Sequence, residues 1–205
     1  VKFLEDMPES VATIVTTVGT QNFLRGLKKK LSLLTLGARK LIFQTGIPAN
    51  IDALLGKDSS TDKTRISVIY LNTLHSSEEK EFFISGIAQL LYRWMLKHPL
   101  GDGQEGVQCA MFIDEIAPYI PPVKVPSCKE NLELLFRQGR KYGASSLIAT
   151  QSPGDIDYKA IGQFSTFILG TLNTKQDIGK VKKRLESVAP KEIDYIVRKL
   201  PALKP

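Results

Sequence analysis

Asp114 and Glu115 stand side by side after the apolar run "VQCAMFI", and a pair of carboxylates at the tip of a buried strand needs a chemical reason. Like charges repel, and desolvating either one is costly. One acid could serve as a cap; two in tandem fit a cation, a proton transfer, or both. An apolar strand ending in Asp-Glu is the pattern of a nucleoside triphosphate hydrolase, in which the Asp holds Mg²⁺ through water and the Glu polarises the attacking water. The competing reading is a plain strand end that caps the next helix. Gln151 closes the following apolar stretch, "ASSLIATQ". Because polar groups collect at the carboxyl ends of parallel strands, Asp114, Glu115 and Gln151 are expected on one rim.

The elements that must hold them there alternate from residue 41 onward. "KLIFQTG" reads as a short strand, "NIDALLG" as a short helix capped by Asn50, and "TRISVIYLNTL" as a buried strand rich in β-branched residues. "SSEEKEFFISGIAQLLYRWMLKH" carries a serine cap and glutamates in its first turn, and predicts a long helix ending before Pro99. "VQCAMFIDE" has the continuous apolar character of a strand covered on both faces. A helix over "CKENLELLFRQGRKYG" follows, then strands over "ASSLIATQ" and "STFILGTL", and closing helices over "TKQDIGKVKKRLES" and "PKEIDYIVRKL". The expected fold class is α/β: a mainly parallel sheet flanked by helices over residues 41–205. Ahead of it, residues 1–40 predict a helical hairpin, with Val11, Ile14, Val15 and Val18 on one helix and Leu24, Leu27, Leu31 and Leu34 on the other. Lys28, Lys29 and Lys30 face away from that second stripe; with Arg39 they are either solvated or a surface for nucleic acid.

Composition narrows the classes. The chain has 205 residues, 42% of them hydrophobic, and a net charge of +7. That is an ordinary globular composition with a balance that suits a polyanionic partner. Apolar runs are too short to span a bilayer and the opening lacks a signal-peptide pattern, so a cytoplasmic location and no membrane association are expected. Cys109 and Cys128 form no CxxC pair and lack histidines at metal spacing, which argues against a disulfide framework or a zinc site. His75 and His98 have no nucleophile or metal partner in view, and no GxSxG elbow occurs. The chain begins in mid-pattern without methionine and reads as a piece of a longer polypeptide.

The stretch "FRQGRKYGASSLIATQSPGDID" resembles the HerA and FtsK group of RecA-like translocating ATPases, in which a "GRKYG" or "GRKFG" turn leads into a strand ending in "TQ". Upstream, "ISVIYLNTLHSSEEKEFFISGIAQLLYRWM" is similar to the strand and long helix that precede the acidic strand in HerA-type proteins. The resemblance covers roughly residues 41–187. It implies a RecA-like P-loop core, ATP and Mg²⁺ as cofactors, double-stranded DNA as partner, and a homo-oligomeric, hexameric ring, with a nuclease as associate in DNA repair. Residue by residue, it implies that Asp114 is the Mg²⁺-associated acid, Glu115 the catalytic base, Gln151 the sensor of the γ-phosphate, and Arg140 an arginine finger for the neighbouring subunit. Arg137 is the rival finger, more simply read as a helix C-terminal arginine favoured by the dipole.

One departure stands against these matches. No GxxxxGK[ST] is present: in "IDALLGKDS", Ile51 replaces the first glycine and Asp58 the hydroxyl residue. The sequence therefore resembles the carboxyl-side portion of such an ATPase without its Walker A segment. The absent strand would lie between the "SLIATQ" and "STFILG" strands, and a gap there exposes unpaired edges. The 205-residue chain alone is expected to lack ATPase activity. Two other readings remain: a coupling-protein-type conjugation or secretion ATPase, and a non-catalytic assembly or nucleic-acid-binding module.

Overall fold

The computed structural model describes residues 21–34, 49–58, 60, 63–74, 76–101, 106–172, 174–188 and 190–203. The chain divides into two compact units, Val1–Ala49 and Asn50–Pro205. In the first unit the described element is helix α1, Gln21–Leu34, on which Leu24 and Leu27 are half-buried while Lys29 and Lys30 are exposed. The helix spans the stretch expected as the second arm of a hairpin, with Lys28 half-buried rather than exposed like Lys29 and Lys30. The other arm, Arg39 and the expected strand in "KLIFQTG" lie outside the described residues.

The second unit begins with α2, Ile51–Leu55, closed at both ends by local chemistry. The Asn50 side chain accepts from Asp52 N at 2.9 Å, and Gly56 ends the helix at φ 72. Helix α3, Ser77–Lys97, starts where Ser76 Oγ accepts from Glu79 N at 3.1 Å, a cap that contributes about 1 kcal/mol. Its buried residues Ala88, Leu91, Trp94 and Met95 fall at helical spacing and face the core. Trp94 Nε1 donates to Asp52 Oδ1 at 2.7 Å and so ties α3 to α2. Among the described residues, no helix is long and apolar enough to cross a membrane.

Two parallel strands follow. β1, Cys109–Ile113, pairs with β2, Ala144–Ile148, in a register that sets Cys109 opposite Ala144 and Ile113 opposite Ile148. The crossover between them contains α4, Lys129–Gln138. Alternation along β1 sends Cys109, Met111 and Ile113 to one face. There they join Ala144, Ile148, Leu132, Leu135, Leu91 and Met95 in the main core. A one-turn helix α5, Tyr158–Ile161, comes next in the chain. The closing helices α6, Lys175–Val188, and α7, Ile193–Lys199, form a smaller cluster of Val181, Leu185, Ile193 and Leu200, against which Leu169 and Leu172 pack.

The fold is mixed α/β with a small parallel sheet flanked by helices. It differs from the expected larger sheet in two segments. Residues 64–72 and 165–172 form no ladder; Ile66 is 87% exposed and Ile168 95%. Apolar and β-branched residues supply suitable side chains, but a strand also needs an edge that satisfies its backbone groups. No such edge reaches either segment among the described residues. β1 is also covered less fully than expected. Phe112 and Leu147, paired on the face opposite the core, are 63% and 49% exposed. They line a cleft of about 880 Å³, together with residues of the 163–172 segment and Val181 and Leu185 of α6.

Candidate functional site

β1 delivers Asp114 and Glu115 beyond its last paired residue. Asp114 is exposed and Glu115 half-buried. Glu115 has φ 49, the left-handed region that costs a residue with a Cβ about 1 kcal/mol or more. That turn redirects the chain so that the fully buried Ile116 can donate its N–H to Ala149 O at 3.0 Å, while Ala149 N donates to Ile113 O at 3.0 Å. The strand ends are thereby locked side by side.

The consequence is a carboxylate held at both oxygens by the neighbouring strand end. Thr150 Oγ1 donates to Glu115 Oε1 at 2.9 Å, and Gln151 N donates to Glu115 Oε2 at 3.3 Å. Thr150 Oγ1 in turn accepts from Ser152 N at 3.0 Å. Glu115 and Gln151 are thus brought together on one rim with Asp114 beside them. Thr150 was missed as a site residue by sequence reasoning, although it is the first letter of the "TQ" pair.

Arg140 is not brought to that rim. It is exposed in the 3₁₀ turn Gly139–Tyr142, which precedes β2, whereas Gln151 follows β2. Five residues of strand separate the two ends, roughly 16 Å at the usual rise. Within one chain Arg140 therefore faces the opposite end of the sheet from Glu115. Arg137, exposed in the last turn of α4, lies at that same opposite end. Lys28, Lys29 and Lys30 belong to the first unit.

The two glycines of "GRKYG" have distinct reasons. A Cβ on Gly139 would sit 2.5 Å from Ala144 O, so the turn closes against the first residue of β2 only without one. Gly143 has φ 67 and a Cβ there would meet Gly106 O at 2.9 Å. Its carbonyl accepts from Gln108 N at 2.7 Å, and Gln108 Nε2 donates to Tyr142 O at 3.0 Å and to His98 O at 2.7 Å. The turn therefore aligns the start of β1 with the start of β2, which sets the register that later places Glu115 beside Thr150.

Behind the rim lies a buried ion pair. Lys129 Nζ donates to Asp157 Oδ2 at 2.6 Å and to Pro121 O at 2.7 Å, with side chains only 9% and 10% exposed for Lys129 and Asp157. Burial raises the Asp157 carboxyl, but the hydrogen bonds and charges of Lys129 and Lys159 outweigh it and hold the group below the ordinary carboxylate range. Lys129 carries no sequence signal, since a lysine in the first turn of a helix is ordinarily solvated. Burial pushes the Cys128 thiol up to about 11, with the Glu81 carboxylate adding to the effect, and burial raises the Cys109 thiol also. Both thiols are structural rather than reactive.

The donor set on the rim consists of hard oxygens, which suits Mg²⁺. Among the described residues there is no group of three or more His, Cys, Asp or Glu side chains that could hold a metal ion. Compared with known proteins, the chain matches no family model and no curated sequence.

Proposed function

We propose that this chain is the carboxyl-side portion of a HerA/FtsK-type, RecA-like ATPase whose intact form couples ATP hydrolysis to movement along double-stranded DNA. The observation that carries the reading is the joining of Glu115 to Thr150 and Gln151 across adjacent parallel strand ends. A half-buried carboxylate with a fixed direction is what a general base requires, and Gln151, one residue further along the next strand end, is of a type that suits a sensor of a bound group. Asp114, exposed at the same tip, would hold Mg²⁺ through water. When bound, ATP with Mg²⁺ supplies the phosphoryl group and the cation that neutralises its charge.

In this reading Glu115 takes a proton from the attacking water, and Gln151 orients toward the terminal phosphate. Arg140, at the opposite end of the sheet, suits a role on a neighbouring subunit rather than on its own, which makes a ring the natural assembly. The phosphate-binding loop is not supplied by these 205 residues. The open side of β2, facing the cleft that residues 163–170 also line, is where the loop's strand would enter the sheet. The chain alone is accordingly expected to be inactive. A cytoplasmic location and a partner nuclease belong to the same reading.

A second reading, a non-catalytic assembly or nucleic-acid-binding module, is favoured by the missing GxxxxGK[ST] pattern. One experiment separates the two: ATP hydrolysis by the parent polypeptide with and without double-stranded DNA, for the unaltered protein, Glu115→Gln and Arg140→Ala. DNA-stimulated turnover, lost in each variant and partly restored on mixing them, is the expected result. A parent without turnover would overturn the ATPase reading in favour of the module.

A further inference from the structure

Net stability alone is a weak reason for the Lys129–Asp157 pair. Burying two charges costs several kcal/mol in desolvation, and such pairs are often no better than apolar residues of similar shape. What the pair has in addition is direction. Its partners belong to the two loops that begin at the rim.

The first loop runs from Glu115 through Ile116 to Ile120 and Pro121, and the second from Thr150 to Asp157. Near the sheet they are joined by Ile116 N to Ala149 O. At the far end they are joined again: Asp157 N donates to Ile120 O at 2.8 Å, and Lys129 Nζ bridges Pro121 O and Asp157 Oδ2. Asp157 Oδ1 meanwhile accepts from Lys159 N at 2.9 Å and caps α5. Thr150 thus sits between the two cross-links, and Glu115, bonded to it, immediately precedes the first. A residue with a side chain at φ 49 persists only where its surroundings over-determine it.

We propose that Lys129 and Asp157 are positioning residues: their buried ion pair clamps the two loops so that Glu115 keeps its left-handed turn and its bond to Thr150. For the reaction itself the inference rests on the ATPase reading above, but the clamp can be tested without it.

The test uses the 205-residue chain and amide hydrogen exchange followed by NMR. In the double variant Lys129→Met/Asp157→Asn both charges are gone and the buried volume is kept, while the amide oxygen introduced by Asp157→Asn still caps α5. Exchange at Ile116 and Ser152 is expected to rise at least tenfold, while exchange at Met95 in α3 stays within about twofold. The single variant Asp157→Asn leaves the Lys129 charge buried without its counter-charge and is expected to give the same pattern more strongly; the double variant, which leaves no buried charge, keeps the test readable if the single variant does not fold. Unchanged exchange at Ile116 and Ser152 in either folded variant would overturn the proposal, as would a uniform rise that includes Met95. In the parent polypeptide the double variant is expected to lower kcat about tenfold with KM for ATP unchanged; a raised KM with unchanged kcat would also overturn it. A parent with no turnover and a locally loosened rim would remove the ATPase reading and leave the clamp standing.

Discussion

Thr150 Oγ1 lies 2.9 Å from Glu115 Oε1, donating to it while accepting from Ser152 N. One hydroxyl therefore links the end of β1 to the turn that follows β2. Thr150→Val keeps the shape and removes both bonds, and is expected to destabilise the chain by about 1–2 kcal/mol. Thr150→Ser keeps them and is expected to stay within about 0.5 kcal/mol of the unaltered chain. Urea unfolding measures both; a valine variant as stable as the unaltered chain would show that the hydroxyl does not hold the carboxylate.

The two glycines of the turn before β2 predict a graded response. Gly139→Ala drives a methyl to 2.5 Å from the backbone oxygen of Ala144, where the only relief is movement of the strand itself. Gly143→Ala adds a strained left-handed residue to a 2.9 Å approach to Gly106 O. Each is expected to lose about 2 kcal/mol or more. Gly86→Ala, in mid-α3 with open space around its Cβ, is expected instead to stabilise by up to about 1 kcal/mol. Thermal unfolding of the three variants would test the order.

Acid should find the clamp. The Asp157 carboxyl lies below its ordinary value in the folded chain because Lys129 and Lys159 together outweigh the effect of burial. A depressed carboxyl contributes stability that is present above its unfolded pKa, about 3.9, and is lost as pH falls through the folded value. Stability measured from pH 6 down to pH 2 is expected to fall more gently in Asp157→Asn than in the unaltered chain, and the two curves should converge at the acid end. Parallel curves would show that Asp157 is not the group that senses acid.

Much of the rim was legible in the sequence because it depends on local order. Two apolar runs ending in "DE" and "TQ" need only a parallel pairing to bring their ends together, and the pairing of Ile113 with Ile148 does so. Helix α3 was equally legible: its cap, acidic first turn and apolar spacing all lie within one stretch. The stretches "TRISVIYLNTL", rich in β-branched residues, and "STFILGTL" read as buried strands. Strand formation is a property of two edges rather than one sequence, and neither segment meets a partner edge among the described residues.

Local order was enough to say which residues end the two paired strands and where α3 begins and ends; the helix expected over "CKENLELLFRQGRKYG" instead stops at Gln138 and continues as a 3₁₀ turn over Gly139–Tyr142. It took the folded chain to establish that the Glu115 carboxylate is gripped by Thr150, that Arg140 faces the opposite end of the sheet, and that a lysine at the start of α4 is buried against Asp157. The difference is one of range. Capping, periodicity and positive-φ turns are set by neighbours a few residues apart, whereas the bonds that orient the rim join Glu115 to Thr150 and Lys129 to Asp157, residues that meet only after the crossover has closed.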